Sequence, residues 1–215
     1  TAGRNNDYPI FTVRLAAMDW GTVGASVFAP PCQNNSSTGT AGTSANPYQI
    51  WTAEDLAWIA DQINNKGRTD ICAKVMADIN LFGGLYTGTA NDSSVTAAQA
   101  LPWIPIGSDS GGTGYTGTFD GNGYTITMMY ARGTEKLGLF GTLGSGANVK
   151  SVVLADNRLE ATDNTAGARY AGGIAGYVKG DNASITGCRN AGRLELPEAG
   201  SYFGGTAGYI TGTGN

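Results

Sequence analysis

The chain contains no histidine among its 215 residues. That absence removes the commonest general base near neutral pH, the usual serine and cysteine hydrolase arrangements, and most zinc and copper sites. Charge is scarce too: charged residues make up 14% of the chain, and 13 basic against 17 acidic residues leave a net charge of -4. Neither sign gathers into a run, so nucleic acid and anionic membranes are set aside as partners. The three cysteines, Cys32, Cys72 and Cys188, lack the paired spacing of a metal knuckle or redox motif, and an odd number leaves at least one thiol unpaired. No stretch approaches the roughly 18 apolar residues that span a bilayer, so no transmembrane segment is expected. The chain opens at Thr1 with neither a methionine nor a signal-peptide core, and reads as a processed or trimmed product.

What the chain has in excess is glycine: 34 residues, more than twice the usual share of roughly 7%. Such a chain turns often. Residues 8 to 28 carry β-branched and aromatic residues broken by Gly21 and Gly24, which predicts one or two short strands. Pro30 to Pro47 is Ser, Thr, Gly and Asn with almost nothing to bury, and predicts an exposed loop. Residues 1 to 45 are therefore a lead-in to a main body over 46 to 215.

That body opens with the one persuasive helix. Thr52 can N-cap it, Asp55 stands at the third helical position, and Trp51 can staple onto Leu56. Leu56, Ile59, Ala60 and Ile63 form an apolar stripe, with Glu54, Asp55, Asp61 and Gln62 largely off it, so one face should be buried and the other wet. Asn64 to Gly67 supply a stop. From Cys72 to Leu81 the period becomes two, predicting a half-buried strand with Ala73, Val75, Ala77, Ile79 and Leu81 inside. A helix ahead of a sheet would cover its open apolar end, and residues 52 to 66 are expected to be that cap.

Further along, the chain repeats itself. Gly138-Leu139-Phe140-Gly141 recurs as Gly173-Ile174-Ala175-Gly176 and Gly205-Thr206-Ala207-Gly208, at spacings of 35 and 32 residues. The first two are followed by related strands, Val149 to Val152 and Ile185 to Cys188. The glycine density leaves no room for two helices per unit, so each unit should be a coil of short strands that only a neighbouring coil can satisfy. The fold expected is all-β, a right-handed parallel β-helix (solenoid) with an N-terminal capping α-helix. The third unit stops without its partner strand, so truncation at the C-terminus and further coils in a larger parent chain are expected.

The succession NPYQIWTAEDLAWIADQIN, ADINLFG, WIPIG, YTGTFDGNGYTI, LGLFG, ANVKSVVL and AGGIAGYVKGDNASITGCRNAG resembles the GLUG-repeat proteins of bacterial surfaces, over roughly residues 46 to 210. The resemblance implies a pectin-lyase-like right-handed β-helix, a secreted or wall-attached bacterial setting, and often an adhesin-like role. It brings no catalytic motif. The first 28 residues and the serine-rich loop lie outside it.

Candidate site residues fall into three groups. Asp78, Asp109 and Asp120 would serve as calcium ligands or a carboxylate pair if they gather, with Lys74 or Arg132 as a lyase base. The blander reading assigns Asp120 to its Asp-Gly-Asn-Gly turn, Asp109 to a Ser- and Gly-rich loop and Asp78 to an outward strand position. Trp103, Tyr115, Tyr124 and Tyr130 would offer faces to sugar rings, set against ordinary packing; Trp51 and Trp58 are expected under the helix. Cys188 takes the place of Val152 in the previous unit and reads as a stacked interior residue, while Cys32 and Cys72 are candidates for a disulfide. The sequons at Asn34, Asn35, Asn91 and Asn182 matter only in a eukaryotic secretory setting.

Two functional classes follow. One is a non-enzymatic, surface-displayed adhesin-like or structural module that binds a glycan or a host or cell-surface protein. The other is a polysaccharide lyase or hydrolase of the β-helix type. Beyond calcium for the acids, no cofactor is expected.

Overall fold

The computed structural model describes residues 19–26, 32–33, 40–81, 101–107, 112–133, 135–161, 169–195 and 201–214. The order opens with helix α1 (Trp20–Ser26), strands β1 (Cys32–Gln33) and β2 (Tyr48–Ile50), helix α2 (Ala53–Asn64), and strands β3 (Ala73–Val75) and β4 (Ile79–Asn80). Next come β5 (Thr118–Asp120), β6 (Thr125–Thr127), β7 (Tyr130–Gly133), β8 (Lys136–Leu137) and β9 (Phe140–Leu143). A second set follows as β10 (Asn148–Lys150), β11 (Val153–Ala161), β12 (Arg169–Gly172) and β13 (Ala175–Val178). The last is β14 (Ser184–Thr186), β15 (Arg189–Glu195), β16 (Ser201–Gly204) and β17 (Ala207–Ile210). The protein is mostly β.

Strands pair with their counterparts in the neighbouring repeat rather than with their neighbours in sequence. The sheets run β1-β2-β3-β5-β10-β14, β15-β11-β6-β4, β16-β12-β8 and β17-β13-β9, with β7 also on β11. Every ladder between named strands of the described residues is parallel except β1 on β2. The glycine units noticed in the sequence lie in register, Phe140 opposite Ala175 and Ala175 opposite Ala207.

Register places like with like, which builds the core. Tyr48, Ala73, Phe119, Val149 and Ile185 occupy successive rungs of one ladder, and Ile79, Ile126 and Leu154 of another. The side chains of these rungs are buried, Ile185 being only partly so. Where β6 gives way to β7, Met128 (φ 59°) takes the left-handed conformation, and Asp156 (φ 50°) does so inside β11 beside it. The two sharp bends coincide because Thr127 pairs with Ala155 and Tyr130 with Arg158.

Several expectations are corrected. Residues 20–26 form a helix, not a strand: Asp19 caps it by accepting from the Thr22 amide at 2.7 Å and the Thr22 hydroxyl at 3.0 Å. Gly24 is needed there, since a Cβ would stand 2.1 Å from the Ala57 carbonyl oxygen of α2. Trp20 Nε1 donates to the Leu81 carbonyl at 2.7 Å and locks α1 down. The remainder of residues 8 to 28 lies outside the described residues. The expected exposed loop over 30 to 47 includes β1, and Gly42 and Asn46 within it are buried.

α2 has the expected start. The Asp55 amide donates to Thr52 Oγ1 at 3.1 Å, and the Thr52 amide donates back to Asp55 Oδ2 at 3.1 Å. The wet face is narrower than expected: Glu54 is exposed and Gln62 partly so, but Asp55 and Asp61 are buried, and α1 packs on α2. Asp61 is satisfied by Asn65 Nδ2 at 2.8 Å. Trp58 is buried, whereas Trp51 is 39% exposed rather than tucked under the helix. The strand expected over 72 to 81 breaks into β3 and β4 at Met76 to Asp78, with Ala73, Val75, Ile79 and Leu81 inside as read.

Candidate functional site

Two octets share one pattern: Tyr170-Ala171-Gly172-Gly173-Ile174-Ala175-Gly176-Tyr177 and Tyr202-Phe203-Gly204-Gly205-Thr206-Ala207-Gly208-Tyr209. Each spans the end of one strand, a corner and the start of the next strand, so its two tyrosines flank that corner. Gly176 permits the corner, since a Cβ there would lie 2.8 Å from the Leu137 amide nitrogen and 2.9 Å from the Tyr170 carbonyl oxygen. Parallel register then sets Tyr170 opposite Tyr202 and Tyr177 opposite Tyr209.

The result is a four-ring cluster. Tyr170 lies 5.1 Å from Tyr177, 5.5 Å from Tyr202 and 5.0 Å from Tyr209 between ring centroids, with interplanar angles of 18°, 24° and 24°. Tyr202 and Tyr209 are 4.8 Å apart. These distances are those of stacked aromatic pairs. The cluster is on the surface, with Tyr202 48% exposed and the other three partly so. Lys136, opposite Tyr170 on β8, brings its ammonium within 5.9 Å of the Tyr177 ring centre. Tyr177 Oη and Thr211 Oγ1 share a hydrogen bond of 2.8 Å, which fixes that ring. Desolvation, then the neighbouring phenols, hold the Tyr170 hydroxyl above its ordinary value.

The aromatic residues chosen from the sequence are placed differently. Trp103 is buried and donates from Nε1 to the Leu139 carbonyl at 3.1 Å. Tyr115 is fully buried, stacked 5.2 Å from Phe140, and its hydroxyl donates to the Ile71 carbonyl at 2.8 Å. Tyr130 is buried and donates to Glu160 Oε2 at 2.8 Å; desolvation first, then that bond, push its hydroxyl up to about 12. None of these three presents a ring face to a ligand, which corrects that expectation. Tyr124 is 37% exposed and stands apart in the turn before β6.

Asp78 and Asp120 are each held by other partners. Asp120 Oδ1 accepts from the Asn122 amide at 2.8 Å, the expected turn bond, and Oδ2 lies 3.4 Å from Lys150 Nζ. It is set between Lys74 and Lys150 in the ladder, an arrangement that neutralises a carboxylate rather than assembling a cation site. Asp78 accepts from the Thr125 amide at 2.8 Å, and Asp109 lies outside the described residues. Among the described residues, no group of three or more Cys, Asp or Glu side chains is placed to hold a metal ion. Arg132 is engaged in an ion pair with Glu160, Nε to Oε1 at 3.0 Å.

The expected disulfide does not form. Cys72 is a free, buried thiol, and β2 lies between β1 and β3, so the Cα atoms of Cys32 and Cys72 are separated by about two strand spacings, beyond disulfide reach. Cys188 is also free, half-buried, with Sγ 3.5 Å from the Thr186 carbonyl oxygen and its thiol pushed up by desolvation. It occupies the interior position read from the sequence, though less covered than Val152.

No helix among the described residues is long and apolar enough to cross a membrane. In comparisons with family models, curated proteins and solved structures, nothing matches the chain.

Proposed function

We propose that the chain is a non-enzymatic binding module of a bacterial surface or secreted protein, and that it holds a glycan against the cluster of Tyr170, Tyr177, Tyr202 and Tyr209. The scaffold in this reading is a right-handed parallel β-helix of GLUG-like repeats, with α2 covering its first turn. The parallel, in-register pairing of successive repeats supports that scaffold, as does the sequence resemblance.

The observation that carries the function is the tyrosine cluster. Four partly exposed rings packed together on paired strands give a rigid apolar surface at little cost in side-chain entropy, which suits the C–H face of a sugar ring. The nearby ammonium of Lys136 adds a preference for acidic sugars. Of the acids that would serve a cleaving enzyme, Asp120 is held by its own turn and by Lys150, and Asp78 accepts from the Thr125 amide.

Retention of the purified chain on immobilised neutral and uronic acid-containing polysaccharides tests this. Tyr177→Ala and Tyr202→Ala should each weaken retention by about tenfold, equivalent to about 1.4 kcal/mol. Retention that survives both substitutions would sink the site, and new chain ends released from the polysaccharide would make the protein an enzyme instead.

A further inference from the structure

A phenol that gives up one electron and its proton becomes a phenoxyl radical, with part of its unpaired electron on the two ring carbons ortho to the oxygen. Two such radicals combine through those carbons, and a neighbour already in place spares them a slow encounter. The four-tyrosine cluster supplies that contact. Tyr170 is its centre, with Tyr177, Tyr202 and Tyr209 at 5.1, 5.5 and 5.0 Å between ring centroids. The other described tyrosines are placed differently: Tyr48, Tyr115 and Tyr130 are buried, and Tyr124 stands apart in the turn before β6.

We infer that Tyr170 and Tyr209 are a cross-linking site, where a peroxidase-type oxidant acting with hydrogen peroxide joins the two rings and ties one repeat to the next. Ring geometry selects the pair. Overlap of two ortho carbons favours rings that are close and nearly parallel. Tyr170 and Tyr209, 5.0 Å apart at 24°, therefore stand ahead of Tyr170 and Tyr202 at 5.5 Å, and of Tyr202 and Tyr209, whose planes differ by 48°. Tyr177 is about as near to Tyr170, but its hydroxyl is bonded with Thr211 Oγ1, and the Lys136 ammonium, 5.9 Å from its ring centre, opposes removal of an electron. In the reaction each phenol loses its O–H proton and one electron, and the new bond joins the two ortho carbons. The hydrogens on those carbons then leave as protons while two protons return to the oxygens. Hydrogen peroxide takes up the two electrons and the two protons left over, giving two molecules of water. Coupling needs no bound sugar, so cross-linking and polysaccharide retention report independently.

The test treats the dilute full chain with a haem peroxidase and hydrogen peroxide, with free tyrosine coupled in parallel to show that the oxidant is competent. The expected product is a single chain lighter by two hydrogen atoms, with dityrosine fluorescence and a digest in which the peptide carrying Tyr170 is linked to the one carrying Tyr209. Tyr170→Phe and Tyr209→Phe keep the rings and their packing, and each should lower the yield by about tenfold, whereas Tyr124→Phe should leave it unchanged. Links formed only between chains, a link mapped to another pair, or a yield indifferent to Tyr170→Phe would each overturn the proposal, as would a chain that keeps its mass while free tyrosine couples.

Discussion

The two ends of the molecule are made from similar strands and finished in opposite ways. At the N-terminal end Ile106 and Tyr115 are fully buried, although they precede every strand of their ladders; at the C-terminal end Ile210, in register with Tyr115 through Leu143 and Val178, is 56% exposed. The repeat itself does not provide closure. At the N-terminal end closure comes from outside the repeats: α1 and α2 pack together, Trp20 bonds the Leu81 carbonyl, and Asn64 Oδ1 accepts from the Gly107 amide at 2.8 Å. Among the described residues, the first apolar layer is thus covered by helices and the layer of β14 to β17 is only partly covered.

Stability should follow the same gradient, with the largest loss near the closed end. Phe140 is fully buried between Tyr115, 5.2 Å away, and Phe119, 5.3 Å away and edge-on. Phe140→Ala empties that three-ring layer and should cost about 3–5 kcal/mol by urea denaturation. A cost near 1 kcal/mol would mean the layer collapses easily, and the contrast between the ends would lose its basis.

A sharper comparison uses one residue type at one register. Leu159 on β11 pairs with Leu194 on β15; the first is buried and the second only partly covered. Leu159→Ala should cost about 2–5 kcal/mol, and Leu194→Ala about 1 kcal/mol or less. Equal losses would show that the layer of Leu194 is as well packed as that of Leu159.

The parts legible in the sequence are those written in short-range pattern. Thr52 and Asp55 declare the capping box, and the glycine units declare the pairing that aligns Phe140, Ala175 and Ala207. The misread parts depend on distant partners. Gly21 and Gly24 argue against a helix locally, yet α1 forms because Gly24 allows α2 to approach. Trp103 and Tyr115 lie in segments without regular strand pattern, and only isolated bridges such as Ile106 to Phe140 and Tyr115 to Leu143 carry them inside. The tyrosine cluster left a signal, the octet that begins and ends in tyrosine and occurs twice. Its meaning emerges only when parallel register joins residues 170 and 202.

The smallest effect expected is electrostatic and of opposite sign at the two ends. Asp55, beneath the N-terminal cover, is raised above the ordinary 3.8, because desolvation outweighs the bonds donated by the Trp51 and Thr52 amides. Asp181, exposed near the C-terminal end, is lowered below 3.8 by the amide and hydroxyl of Thr213, which donate to Oδ1 at 2.8 and 3.0 Å. A raised carboxyl binds its proton more tightly in the folded state, so its contribution is complete below the unfolded value and is lost as pH climbs through the folded one. A lowered carboxyl contributes above the unfolded value and loses that contribution as pH falls through the folded one. Unfolding free energies of the parent minus those of Asp55→Asn should therefore decline as pH rises from about 3.8, and the corresponding difference for Asp181→Asn should decline as pH falls below about 3.8. Slopes of the same sign would show that burial does not dominate at Asp55, and that the cover over α2 is looser than the closed end requires.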